Sequence, residues 1–401
     1  MSYRGVTCLS HEIRLHPTKS QEVFFRKACG AARVAYNYGL AEYKKAIDAK
    51  EKPKILEIKK KFNQEKKELF PWMSETNKDA NQQPFTNLQN AFGKFFKRTT
   101  KFPTFKKKGR KDSFYISNDR FSVDGNKFRI PKLGFVNGAE ELRFKGKILS
   151  ATIKRKANFW FVVVSVETEI NPATCKNQAV IGVDLGVKTL ATLSDGKVIK
   201  SVSPIRKRLN RLKLLQRRTS RKVNGSSNKR KANQRVAKLH YEVACLRKDV
   251  LNKLTTYLCE NYQVICIEDL NVSGMIKNHK LALSISDMGF GEFRRQLEYK
   301  SILNGVTLIV VDKWFASSKI CSGCGFKKDA LPLSEREYVC ENCGQVIDRD
   351  LNAAINLRNY GLEQLRAVSP EVTPVDKIAL VGDDETILVE AGILERRESI
   401  A

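Results

Sequence analysis

Apolar residues recur at helical spacing from about Lys19 to Lys50 (Val23, Phe24, Ala28, Ala31, Val34, Ala35, Tyr38, Leu40), which predicts a long helix opened by Pro17-Thr18. A basic helix is expected from about Pro53 to Leu69, ended by Pro71-Trp72. A third is expected from about Gln82 to Arg98, with Phe85, Leu88, Phe92, Phe95 and Phe96 on one side. Residues 113–170 then alternate with period two and carry the turn pairs Asp124-Gly125 and Asn137-Gly138. They predict several antiparallel strands ending in the apolar run 159–166, and residues 1–16 read as one more strand.

At Ala179 the pattern changes. Residues 180–186, then 189–193 and Asp195-Gly196, read as strand, turn, strand. A basic helix is expected over about 204–222. A longer one, about 228–261, has Val236, Leu239, Val243, Leu246, Val250, Leu254 and Leu258 on one stripe. A buried-type strand (264–267), a helix (about 290–303) and another strand (306–311) follow. This alternation predicts an α/β core with partly parallel pairing.

Composition narrows the function. With 401 residues and 42% hydrophobic positions the chain can bury several cores, at roughly 100–200 residues per domain. Lys plus Arg number 73 against 43 acidic residues, a net +30, which points to a polyanionic partner such as nucleic acid. Residues 361–401 hold nine acidic and four basic side chains, so they carry −5 and the rest +35. That segment is expected to be a mobile appendage. No apolar run nears the ~18 residues of a membrane span, and no export pattern opens the chain, so no membrane partner and a cytoplasmic location are expected.

Six of the ten cysteines are scattered (Cys8, Cys29, Cys175, Cys245, Cys259, Cys266) and read as buried free thiols. The other four, Cys321-x2-Cys324-x15-Cys340-x2-Cys343, have the spacing of a four-thiolate zinc site, with Gly323, Gly325 and Gly344 permitting tight turns. All four positions are cysteine, so one zinc there would be structural rather than catalytic.

Three acidic residues lie at element ends in the α/β part. Asp184 interrupts an apolar strand, where a charge is costly unless compensated. Glu268 ends the strand 264–267, and Asp350 stands where a helix begins after the cysteine module. Taken singly, they could be a turn residue, a solvated strand end and an N-cap. Together, with no histidine in these motifs, they suit oxygen-preferring Mg²⁺ or Mn²⁺, and two such ions can hydrolyse phosphodiesters. Asp269 is expected on the opposite face from Glu268, and Asp348 in the turn that leaves the cysteine module. Asp287 has no role that the sequence reveals beyond a possible helix cap.

Gly182-Val-Asp-Leu-Gly-Val-Lys188, Ile267-Glu-Asp-Leu-Asn271, the segment 289–300, the double Cys knuckle and Asp350-Leu-Asn-Ala-Ala-Ile-Asn356 occur in one order. In this the chain resembles the TnpB (OrfB) family of transposon-encoded RNA-guided nucleases, relatives of the type V CRISPR effectors. Pro17-x3-Gln21 and Val34-Ala-Tyr-Asn37 resemble that family's helical region. The resemblance implies a RuvC-type, RNase H-like nuclease (176–318 and 346–360) with catalytic, metal-holding Asp184, Glu268 and Asp350. It implies a zinc ribbon (319–345), a wedge-like β-barrel (1–16 and 100–175) and a helical recognition domain (17–99), leaving the acidic tail at 361–401. It also implies a prokaryotic, nucleoid-associated protein, a monomer with its RNA. The partners would be a guide RNA from its own element and duplex target DNA beside a short adjacent motif. Base pairing would then supply most of the specificity. The rival readings are a guided binder that no longer cuts and represses, a transposase performing strand transfer, and a true CRISPR effector.

Candidate nucleic-acid contacts follow from charge. Arg206, Arg208, Arg211, Arg217, Arg218 and Arg221 belong to a run of nine cations in residues 206–222, which repel one another unless a polyanion is present. Lys106, Lys107, Lys108, Arg110 and Lys111 are interleaved with Phe102 and Phe105, which either stack on bases or join the core. Asn81, Gln82 and Gln83 offer amides able to read adenine edges, or form an ordinary polar helix start. Trp72 and Trp160 read as core.

Overall fold

In the computed structural model, which describes residues 5–170, 179–332 and 334–367, the change of period at Ala179 falls close to a division between two units. Among the described residues, one is built from residues 6–169 and the other chiefly from residues 179–367.

The first unit begins with strand β1 (Gly5–Leu15) and helix α1 (Lys19–Asp48). Thr18 and Gln21 cap each other's backbone N–H groups, a reciprocal box that fixes the start of α1. Helices α2 (Ile55–Leu69) and α3 (Lys78–Phe96) complete a three-helix layer around Phe25, Leu40, Phe62, Phe85 and Leu88. Helix α3 starts at Lys78, ahead of the apolar repeat, and Phe96 at its end is exposed rather than on the buried side. Gly39 lets α1 approach α3, since a Cβ there would lie 3.0 Å from Leu88 and 3.1 Å from Phe85.

Strands β2 (Ser113–Ser117), β3 (Ser122–Asp124), β4 (Lys127–Ile130), β5 (Gly134–Asn137), β6 (Lys147–Lys156) and β7 (Phe159–Ile170) follow. They form a sheet of order β1-β7-β6-β2 and a separate sheet β3-β4-β5. Among the described residues these are open sheets bridged at Leu15 and Gly138, where a barrel was expected. Trp160 is buried in this unit's core, as its apolar run implied.

The second unit is α/β. Strands β8 (Val180–Leu185), β9 (Thr189–Leu193) and β10 (Val198–Lys200) lead into helices α4 (Pro204–Ser220) and α5 (Ser227–Asn261). Then come β11 (Val264–Glu268), the short helices α6 (Val272–Ile276) and α7 (Ala282–Met288), α8 (Phe290–Asn304) and β12 (Thr307–Val311). The hairpin β13 (Glu337–Val339) and β14 (Val346–Asp348) precedes the last described helix, α9 (Arg349–Ala367). The sheet order is β10-β9-β8-β11-β12, with β8, β11 and β12 parallel and β9 and β10 antiparallel.

Alternation sorts the strand residues onto two faces. Ile181, Val183, Ile265 and Ile267 pack with Leu251, Leu254 and Leu258 of α5 and Phe293 and Leu297 of α8. Each such side chain, fully buried, stabilises the fold by about 1.5–3 kcal/mol. Cys266 faces the other way, with Leu357 of α9. The approach of α9 requires glycine at two positions. A Cβ at Gly182 would sit 1.9 Å from the Ala354 carbonyl oxygen, and one at Gly361 would sit 2.1 Å from Cys266 Sγ. Helix α9 continues past residue 361, where the acidic appendage was expected to begin, and Leu365 packs against the core. The remainder of that appendage, 368–401, lies outside the described residues.

The scattered cysteines are less uniformly buried than their apolar neighbours suggested. Cys29, Cys259 and Cys266 are buried, but Cys8 is half-buried and Cys245, on the outward side of α5, is exposed. Cys175 lies outside the described residues.

Candidate active site and cysteine centre

Parallel pairing aligns the first two acids. Gly182 pairs with Cys266 and Val183 with Ile267, so Asp184 and Glu268 occupy the next rung of neighbouring strands. Both point to the α9 face, because they alternate with Val183 and Ile267 on the α5 face. Ala354, whose carbonyl meets Gly182, is one helical turn after Asp350. The close packing at Gly182 therefore brings Asp350 towards Asp184.

The electrostatics report the convergence. Burial, followed by the charges of Glu268 and Asp350, pushes the Asp184 carboxyl up to about 8. The Arg349 guanidinium and a hydrogen bond from the backbone N–H of Leu185 oppose this only in part. Three carboxylates, two of which raise the cost of ionising the third, make an oxygen donor set fit for a hard divalent cation.

Glu268 and the start of α9 each have a specific partner. Ser317 Oγ donates to Glu268 Oε1. Asp348 Oδ1 accepts the backbone N–H groups of Asp350 and Leu351, both at 3.0 Å, and so caps α9. The N-cap role that sequence left open for Asp350 is filled by Asp348, and the Asp350 carboxylate has no hydrogen bond or ion pair among the described residues. Asp269 pairs with Arg294, outside the acidic cluster.

The four thiols Cys321, Cys324, Cys340 and Cys343 lie with all Sγ atoms within 4.8 Å of one another. The Cys321–Cys343 and Cys324–Cys340 separations are 3.7 and 3.5 Å. Zinc with Zn–S bonds of about 2.3 Å has tetrahedral edges of about 3.8 Å, so the cluster fits one structural zinc. Gly325 and Gly344 take φ of +77° and +74°, the left-handed turns the knuckles need. Hydrogen bonds from the Phe326 backbone and the Asn342 amide lower the Cys324 thiol to about 6, favouring the thiolate a metal requires.

Two asparagines tie this centre to α9. Asn352 Oδ1 accepts the Ser322 N–H at 2.9 Å, and its Nδ2 donates to the Ile320 carbonyl at 2.7 Å. Asn356 Nδ2 donates to the carbonyls of Ser317 and Ile320 at 2.7 and 2.6 Å. One face of α9, read at i and i+4, thus holds both the first knuckle and the residue that touches Glu268. The sequence showed these asparagines within a motif, but the pairing with 317–322 left no local signal.

Asp287 also acquires a role. Ser203 begins α4 in a left-handed conformation with no side-chain cap. The buried Asp287 carboxylate accepts the N–H groups of Ile205 and Arg206 instead, and Arg247 of α5 contacts both its side chain and its carbonyl. It caps the basic helix from a distance. The cations Arg206, Arg211, Arg217, Arg218 and Arg221 are exposed, Arg208 is half-buried, and none of the six makes an ion pair among the described residues.

In the first unit the segment 101–111 is clamped to α1 by a reciprocal pair between Asn37 and the Lys106 backbone. Phe102 packs on Phe92 and Phe95, so it is core, whereas Phe105 is exposed beneath Lys44. Lys106 lies over the Tyr36 ring, and Lys107, Lys108, Arg110 and Lys111 are exposed. Asn81 is buried and lines a cavity of about 620 Å³ ringed by Lys66, Lys78, Arg120 and Lys132. Gln82 bonds Asn63 and Asn81, and Gln83 bonds Asn87.

Comparison with known proteins adds three family matches. A profile described as "Probable transposase" (OrfB, IS605) matches residues 161–279, one described as "Cas12f1-like, TNB domain" matches 290–357, and a "Helix-turn-helix domain" matches 8–52. That last stretch contains most of β1 and all of α1. The chain is 36% identical over 363 residues to a Streptomyces pristinaespiralis protein named "Putative RNA-guided DNA endonuclease", covering 87% of this chain and 88% of the relative. It is 30% identical over 374 residues to Escherichia coli "Putative RNA-guided DNA endonuclease InsQ", covering 87% and 91%. Its fold is similar to the protein of a Cas12f1–sgRNA–target DNA complex, with a TM-score of 0.54, 17% identity, and 84% and 83% coverage. No helix among the described residues is long and apolar enough to cross a membrane.

Proposed function

This chain belongs to the TnpB (OrfB) family of IS605 elements, and from that premise we propose that it cuts DNA under the direction of an RNA guide, with Asp184, Glu268 and Asp350 as the catalytic residues. The observation that carries this reading is the position of Asp184, whose carboxyl is raised by burial and by the other two acids.

Those three side chains would hold two Mg²⁺ ions, or Mn²⁺. Bound there, the ions supply activation of a water and stabilisation of the leaving oxygen in phosphodiester hydrolysis. The chain's own residues prepare the site. The parallel rung fixes the spacing of Asp184 and Glu268, Ser317 orients Glu268, and Asp348 leaves Asp350 uncommitted. Arg349 offsets part of the clustered negative charge. The zinc centre holds the 317–322 segment through Asn352 and Asn356, and so supports Glu268 without taking part in chemistry.

The nuclease domain in this proposal spans 176–318 and 346–360, with the ribbon at 319–345. The helical domain (17–99) and the described strands of the wedge region between residues 6 and 169, which form open sheets, lie in the first unit. The free cations of α4 bind guide or heteroduplex backbone, and the five of segment 106–111 bind backbone in the first unit. Binding by so many cations weakens steeply with salt. The cavity lined by Asn81, with Gln82 and Gln83 beside it, suits the reading of a short duplex motif. Asn77 there has a buried Oδ1 without a partner among the described residues.

The test is reprogramming. Replacing the variable end of the co-purified RNA should move the cut to DNA matching the new sequence. Cutting that ignores the replacement refutes guidance.

A further inference from the structure

The loop between β12 and the cysteine centre starts and ends at Glu268. Val311 is the register partner of Glu268, and Ser317 hydrogen-bonds its carboxylate. Trp314 is midway, three residues from either end. Its Cα is therefore no more than about 11 Å from the Cα of Val311 or Ser317, by chain length alone. The loop is fixed, since Asp312 accepts the N–H groups of Trp314 and Phe315, and the Ser317 N–H bonds the Phe315 carbonyl. Phe315 turns inward onto Tyr360 of α9, with ring centroids 4.9 Å apart. Its neighbour Trp314 turns outward and is 81% exposed, the most exposed large apolar side chain among the described residues. The Lys313 ammonium is 5.1 Å from its ring centroid.

An indole held open beside an apolar core that receives the very next residue is placed for a flat partner. The nearby cation selects an anionic one. We propose that Trp314 is a stacking platform for a base of the single DNA strand being cut, within about three nucleotides of the scissile phosphate. Lys313 pairs with a phosphate of the same strand. This rests on the assignment of Asp184, Glu268 and Asp350 as the nuclease site, and it adds a contact to a base where those acids address only the backbone.

The test uses the full chain with its bound RNA. In an Asp184→Ala background, which leaves the strand intact, oligothymidylate is titrated while tryptophan fluorescence is read. Trp160 is buried and Trp72 half-buried, so Trp314 should dominate the response. Saturable quenching is expected, and it should vanish in Trp314→Phe with strand affinity nearly retained. Trp314→Ala should weaken strand binding by roughly five- to a hundredfold, with unchanged zinc content and melting temperature. Unchanged affinity with no quenching overturns the proposal. So does unchanged affinity with a shift in oligomeric state, which would assign the face to a second copy. Guided cleavage by the otherwise unaltered protein is scored separately. If it is absent while Trp314 still quenches, the guided-nuclease reading falls and with it the identification of the bound strand as the one being cut, while the stacking of Trp314 on a single strand stands.

Discussion

Asp348 and Asp350 divide between them two roles that one acid at a helix start could have filled. Asp348 caps α9 through the N–H groups of Asp350 and Leu351, and Asp350 is left to face Asp184. Substitution should separate the two. Asp348→Ala should cost about 0.5–2 kcal/mol of stability. Asp350→Ala should abolish cleavage while leaving metal-free stability unchanged or raised, because it removes a like charge. Denaturant midpoints and cleavage assays on both variants check this.

Asp287 should matter to a helix whose capped N–H groups are 81 and 82 residues away in sequence. Asp287→Ala removes the cap of α4 and strands Arg247, an expected loss of about 2–4 kcal/mol. RNA affinity should fall with it, whereas Asp287→Asn should retain part of both. Equal RNA affinity in a folded Asp287→Ala would detach α4 from RNA binding.

The zinc centre should be felt at Glu268. Cys321→Ser should release zinc and lower the melting temperature. Asn356→Ala removes the donor to the Ser317 carbonyl and one of the two donors to the Ile320 carbonyl, at about 1–3 kcal/mol, and should weaken Mn²⁺ binding while zinc content holds. Calorimetric Mn²⁺ titration with metal analysis distinguishes the two. A metal-free Cys321→Ser of full stability would remove the structural role.

The pH dependence follows from Asp184. Its folded pKa, about 8, is above the unfolded value, so the metal-free fold holds the extra proton between about 4 and 8. The contribution of this group to metal-free stability therefore falls as pH rises through that window. A divalent ion must displace the proton, so binding should tighten with pH. Mn²⁺ titrations at pH 6.5, 7.5 and 8.5 should show half-saturation moving to lower concentration. Binding that is flat across the range would contradict the raised pKa.

Much of the core was legible because its signals are local. Asp184 and Glu268 end apolar strands, and the cysteine spacing encodes a tetrahedron. The long stripe on α5 already implied a partner, which the structure supplies as sheet and α8 for Val250, Leu254 and Leu258, whereas Leu246 of the same stripe is exposed. What escaped was set by distant partners. Asp287 serves backbone groups 82 residues away, and Asn356 holds a carbonyl 39 residues away. Phe102 and Phe105 look alike in sequence, and only the end of α3 decides that one is core and the other exposed. The start of α3 was misplaced because its first turn is polar. Period-two alternation gave the strands of the first unit but not the sheet to which each belongs.

The most direct measurement is cleavage by protein purified with whatever RNA its flanking native DNA encodes, with Asp184→Ala in parallel. The account predicts one abundant RNA with a fixed scaffold and a variable end, retained by both proteins. It predicts cutting only of DNA matching that end, and only by the protein that keeps Asp184. A random RNA population, cutting without a match, or cutting that survives in Asp184→Ala would contradict it.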